Sequence, residues 1–125
     1  NFQALKGAIA ILDTEIGRIK DAVLAYEDGV LIVTGDHGNA EMKMARVTGE
    51  ILTEHTINPV PFYLFALEFE RALERTEKEI REERMEVGGI LTDIAPTILE
   101  LLGLQKPDEM TGKSLLKFLK KQIEN

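Results

Sequence analysis

At 125 residues the chain has room for one domain, long enough to bury a core of its own or to share one with a larger partner. Its net charge of -7 and pI near 4.9 argue against nucleic acid and anionic membrane as partners, and no apolar run approaches the ~20 residues of a membrane span. The absence of cysteine excludes disulfides, zinc–thiolate sites and thiol catalysis, and a cytoplasmic origin fits.

Phe2, Leu5, Ile9, Leu12, Ile16, Ile19, Val23 and Tyr26 recur at steps of three and four with no proline between them, which predicts one helix from residue 2 to about residue 26. Its broad apolar stripe calls for a large partner surface, a sheet. Asp28 and Gly29 supply the stop and turn. Residues 30–33 are continuously apolar and β-branched, the pattern of a strand buried on both faces. Helix, glycine turn and buried strand together predict an α/β layer. Residues 34–39 then form the loop at the strand's C-terminal end, the edge where open α/β sheets bind ligands. Residues 41–50 are polar, with Gly49 marking a turn. Residues 60–67 are a second strand, entered through Pro59 and Pro61, which cannot donate to a ladder.

Residues 68–86 are dense in charge, and Glu74–Lys78 and Glu77–Arg81 stand i,i+4 in the favourable order. This stretch reads as a solvated helix or helical hairpin tip, or equally as a flexible charged insertion. Thr92 or Asp93 caps the next helix, with Pro96 in its first turn and Gly103 at its end. Ile94, Ile98, Leu101 and Leu102 form its buried stripe. After Pro107, Thr111 or Ser114 starts a terminal helix carrying Leu115, Leu116, Phe118, Leu119 and Ile123.

The residues with chemical promise are Asp36, His37 and His55, the two histidines being the only ones in the chain. Asp36-His37-Gly38-Asn39 sets a hard oxygen ligand beside an imidazole, a mix that suits Mn, Zn or Fe rather than Ca. Gly38 permits close backbone approach, and Asn39 can hydrogen-bond the loop. The alternative is an Asx-type turn with a solvent-facing histidine. His55, between Glu54 and Thr56, taken alone is more often a surface or hydrogen-bonded structural histidine than a ligand, and Glu54 more often a surface charge than an orienter of it. Thr111-Gly112-Lys113-Ser114 lacks the first glycine of a phosphate loop, since position 107 is proline, so capping is the better reading.

Four segments, in order, carry a resemblance: Thr34-Gly-Asp-His-Gly-Asn39, Thr53-Glu-His-Thr-Ile-Asn-Pro-Val-Pro-Phe62, Asp93-Ile-Ala-Pro-Thr-Ile-Leu-Glu-Leu-Leu-Gly103, and residues 107–116 ending Met110-Thr-Gly-Lys-Ser-Leu-Leu116. Together they closely resemble the C-terminal part of the cofactor-independent phosphoglycerate mutases, metalloenzymes of the alkaline phosphatase superfamily. The resemblance spans nearly the whole chain except about residues 67–87. It implies an α/β fold, a partial alkaline-phosphatase-like layered sheet with flanking helices. It also implies interconversion of 3-phosphoglycerate and 2-phosphoglycerate through a phosphoserine, with two divalent ions, commonly manganese. By resemblance Asp36 and His37 bind the ion that activates the serine, and His55 binds the second.

Gly35 stands where the family usually has alanine, Ile57 where it has threonine, and the charged stretch 68–86 is longer than usual. The family's serine nucleophile, N-terminal aspartate ligand, substrate-binding domain and an Asp-x-x-x-His ligand pair all precede such a segment. Residues 1–125 are therefore expected to be a C-terminal piece of the phosphatase-like domain, inactive alone, holding ions weakly, with an exposed edge able to drive self-association. Two other readings stay open: a metal-dependent phosphatase or phosphodiesterase of the same superfamily, and a non-catalytic interaction module.

Overall fold

The apolar repeat near the N-terminus forms a helix, α1 (Phe2–Leu24), which ends slightly before its periodicity predicts. The structure, a computed structural model, describes residues 2–39, 41, 54–70, 74–83 and 85–124. The chain divides into two compact units, residues 1–68 and 69–125. The turn expected at Gly49 lies outside the described residues.

In the first unit α1 runs into a turn in which Gly29 N donates to Tyr26 O (3.0 Å), and the chain then enters β1 (Leu31–Thr34). β1 pairs antiparallel with β2 (Phe62–Phe65), in the register Leu31↔Phe65, Ile32↔Leu64, Val33↔Tyr63 and Thr34↔Phe62. β2 starts directly after Pro61, as the missing donors of Pro59 and Pro61 require. Tyr63 and Phe65, two apart on one face, stack their rings at 6.3 Å beside Val33 and Leu31.

Two expectations are corrected here. β1 is half-buried rather than buried on both faces, because β2 is its single partner among the described residues. The stripe of α1 is not covered: none of its residues is buried, and Phe2, Ile9, Leu12 and Ile19 stand exposed while Leu5, Ile16 and Val23 are half-buried. A two-stranded ribbon offers too little surface to hide a helix face of this length. In this unit Ala66 is the buried apolar side chain among the described residues.

The second unit begins at the last residue of a 3-10 turn (Leu67–Phe69) and carries the short helix α2 (Glu77–Glu83) inside the charged stretch. Thr76 and Glu79 start it reciprocally: Glu79 N donates to Thr76 Oγ1 (3.3 Å) and Thr76 N donates to Glu79 Oε2 (2.7 Å), a capping box. The ion pairs of this stretch include Lys78–Glu82 (3.7 Å) and Arg75–Glu83 (2.9 Å), rather than the pairs that spacing suggested. A 3-10 turn (Leu91–Asp93) leads into α3 (Ile94–Leu101). Gly103, at φ +65°, closes α3: Gly103 N donates to Glu100 O and Leu104 N to Leu99 O, the paired bonds of a Schellman motif. The terminal helix is α4 (Leu116–Glu124), and Ser114 rather than Thr111 precedes it, its Oγ accepting from Leu116 N (3.2 Å).

Asp93 does not cap α3 with its side chain. Its Oδ2 accepts from Ile90 N (3.0 Å) and its Oδ1 from Lys113 N (2.8 Å), tying two segments twenty residues apart. The Lys113 N–H, then the Ile90 N–H, hold the Asp93 carboxyl below the usual carboxylate range. Thr97, wholly buried, donates from Oγ1 to Asp93 O (2.6 Å) and accepts from Leu115 N (2.9 Å). Between them Gly112 lies so close to Thr92 that a Cβ would stand 2.1 Å from its carbonyl oxygen. The Thr-Gly-Lys-Ser stretch is thus a packing device, not a phosphate loop. Described elements include helices and a sheet, so the α/β expectation holds, and no described helix is long and apolar enough to cross a membrane.

Thr97→Val keeps the shape but leaves Leu115 N without an acceptor, and the penalty for such a buried orphan is roughly 1–3 kcal/mol. Urea denaturation should show that loss for Thr97→Val and little for Thr97→Ser, which retains the hydroxyl.

Candidate metal centre at the end of the sheet

Beyond Thr34↔Phe62 the ladder does not continue in register. The next pair is Gly38↔Thr56, so three residues (35–37) face five (57–61). The longer side contains Pro59 and Pro61, which have no N–H to give the ladder. It resumes with two backbone bonds, Thr56 N to Gly38 O (2.8 Å) and Gly38 N to Thr56 O (3.2 Å). This isolated bridge joins the loop that carries Asp36 and His37 to the segment that carries His55.

The bridge also aims the histidines. In antiparallel pairing the residue opposite His37 is Ile57, so His55 is its diagonal neighbour on the same face. Their rings stack with centroids 3.5 Å apart and planes 15° from parallel. Ile57, opposite, is left fully exposed.

His37 is oriented at both nitrogens. Nδ1 lies 3.2 Å from Gly38 O, and Nε2 lies 3.5 Å from Asp36 Oδ1. The tautomer in which Nδ1–H donates to the carbonyl leaves the Nε2 lone pair free, the usual arrangement for a metal-binding imidazole. Asp36 is 88 % exposed and the His37 side chain 35 %. Two ligands of one tetrahedral ion, each at ~2.1 Å, stand about 3.4 Å apart, so the Asp36–His37 spacing fits a single divalent ion. A ligand nitrogen binds in its ring plane. The near-parallel planes of His37 and His55 do not meet within ligand reach, so the two rings as placed do not suit one shared ion. Among the described residues no three His, Asp or Glu side chains gather as a metal-holding group.

Glu41, which sequence reasoning passed over, gathers both segments. Its carboxylate accepts from Asn39 N (2.9 Å), Thr56 Oγ1 and Asn58 Nδ2 (3.0 Å). Asn39 Nδ2 adds a bond to Glu54 O (3.1 Å). The one signal available was a carboxylate four residues after His37; its partners lie fifteen and seventeen residues on, beyond any local pattern. The Thr56 hydroxyl, followed by backbone and Asn58 donors, pulls the Glu41 carboxyl from 4.5 to about 2.

A carboxyl depressed in the folded state stabilises the fold above its unfolded value, and that contribution is lost as pH falls through the folded value. The window for Glu41 therefore runs from 4.5 down to about 2. The Asn39 amide proton shift, read by NMR, should titrate with a midpoint of about 2. A midpoint at the ordinary value would mean the carboxylate is not held by these donors.

A family model described as the metalloenzyme superfamily matches residues 1–106. The chain is 44% identical over 115 residues to the 2,3-bisphosphoglycerate-independent phosphoglycerate mutase of Thermomicrobium roseum, covering 92% of this chain and 20% of that protein. The protein of the same name from Clostridium botulinum strain ATCC 19397 is 45% identical over 116 residues, covering 93% and 20%, and that from Pseudomonas fluorescens is 43% identical over 115, covering 92% and 20%. The chain spans about a fifth of the length of the curated relatives it matches.

Proposed function

This chain belongs to the metalloenzyme superfamily, and on that premise we propose that it is the C-terminal part of the metal-binding domain of a phosphoglycerate mutase, an isomerase of glycolysis acting in the cytoplasm. The likeness to named mutases over more than nine-tenths of the chain supports the reaction, the interconversion of 3-phosphoglycerate and 2-phosphoglycerate. The observation that carries the metal reading is the Asp36 Oδ1–His37 Nε2 pair, 3.5 Å apart at the C-terminal end of β1.

Asp36 and His37 would hold one divalent ion and His55 the other. Such ions, manganese in this proposal, supply a lowered nucleophile pKa and positive charge against phosphate oxygens. The stacked rings support that division, because each presents its nitrogens in a separate plane. The Gly38 carbonyl fixes the His37 tautomer, and Asp36 brings the negative charge that favours a cation at Nε2.

The nucleophile is not among these residues. Ser114 is the chain's only serine, and its Oγ accepts the Leu116 N–H at the start of α4. By the family resemblance the phosphoserine belongs to a serine outside this sequence, and the uncovered stripe of α1 is surface suited to further chain or to self-association.

The 125-residue chain with Mn²⁺ should show no turnover of 3-phosphoglycerate. In a whole mutase containing this segment, His37→Ala and His55→Ala should each lower kcat by more than about a hundredfold, beyond the range of outer-shell partners. Calorimetry with Mn²⁺ should show weaker binding for His37→Ala than for wild type. Equal binding would remove His37 from the ligands, and release of inorganic phosphate without 2-phosphoglycerate would favour a hydrolase instead.

A further inference from the structure

We infer that Glu41 is a positioning residue whose carboxylate clasps the His37 loop to the His55 segment and so sets how the two imidazoles stand. The inference rests on the reading of these histidines as ligands. Glu41 touches neither ring by any bond described above; it acts through Asn39, Thr56 and Asn58.

Geometry gives it that position. Asn39 N comes from one loop, and Thr56 Oγ1 and Asn58 Nδ2 come from the other, so one carboxylate spans the junction. The backbone contributes two bonds there, at Gly38↔Thr56, beside a three-against-five interruption. A single bridge with unequal arms leaves the segment after His55 free to twist unless side chains hold it. Thr56 and Asn58 flank Ile57 and bind the same Glu41 oxygen. That oxygen and the Thr56 hydroxyl also sit directly on Gly38, where a Cβ would lie 2.4 Å and 2.2 Å from them. Gly38 is therefore glycine for room, and the space it leaves holds the clasp. With Gly38 and Thr56 locked, the diagonal His37–His55 contact follows from strand alternation.

The test is proton NMR on the full 125-residue chain, in which a ring-to-ring cross-peak between histidines has one assignment because there are only two. Wild type should show it. Glu41→Ala and Thr56→Val should lose it while the amides of the β1–β2 ladder stay protected, and Thr56→Ser, which keeps the hydroxyl, should retain it. A cross-peak that persists in Glu41→Ala and Thr56→Val overturns the clasp. So does its loss together with β1–β2 protection, which would mark general destabilisation. MnCl₂ titration of the same samples separates the two readings. Paramagnetic broadening at both histidines in wild type, with His55 needing roughly tenfold more Mn²⁺ in Glu41→Ala, supports both. Wild-type rings that Mn²⁺ leaves sharp count against the ligand reading, and the cross-peak still decides the clasp.

Discussion

Two backbone hydrogen bonds between Gly38 and Thr56 join the segments that carry the chain's two histidines. The regular ladder ends at Thr34↔Phe62, and Pro59 and Pro61 prevent it from continuing in step. Had pairing continued in step, Gly38 would face Asn58, and His37 would face Pro59 instead of Ile57. The two extra residues on the proline side move the pairing to Thr56, and that shift makes His55 the diagonal neighbour of His37. The stacked imidazoles are thus a consequence of register, and register here is a consequence of where proline removes a donor.

Carboxylates do the rest of the joining, in both units by the same physics. Glu41 accepts from Asn39 N and two side chains; Asp93 accepts from Ile90 N and Lys113 N. Each links stretches fifteen to twenty residues apart, and each has its carboxyl pulled below the ordinary range by the donors it satisfies. A glycine lies against each link, because a carboxylate or hydroxyl that ties backbone to backbone brings the two chains closer than a Cβ allows. Gly38 sits under Thr56 and Glu41, and Gly112 under Thr92 beside the Lys113 bond to Asp93. Among the described residues few side chains are buried in either unit, so these polar links, more than apolar packing, define the loops.

The elements that local pattern controls were legible in the sequence. The 3.6-residue repeat gave α1, the β-branched run gave β1, the prolines placed the entry to β2, and Gly103 marked the end of α3. Asp36, His37 and His55 could be selected by type and by their place beside strands. What local pattern could not give was anything set by distant pairing. Asp93 looked like a helix cap because Asp before a helix usually is one, yet its oxygens were claimed by Lys113, twenty residues on. Glu41 offered only its place four residues after His37, since its partners Thr56 and Asn58 lie fifteen and seventeen residues on. The stripe of α1 was expected to pack on a sheet and stands uncovered among the described residues; nothing in its periodicity says which surface would cover it.

The openness of the site and its ligand count argue in the same direction. A catalytic ion commonly takes three protein ligands and leaves one position for water or substrate. Asp36 and His37 offer two donors at a spacing one ion can use, and His55 offers one in a different plane. No third carboxylate or imidazole completes either group among the described residues. Adding donors by swinging His55 toward the Asp36–His37 pair would break the stack and pull against Thr56, which two backbone bonds and Glu41 hold in place. On the proposed ligand assignment, further ligands would approach from the exposed side, where Asp36 is almost wholly open to solvent. On the proposed assignment the chain supplies part of each coordination shell: its donors are set by register, and further ligands would come to them.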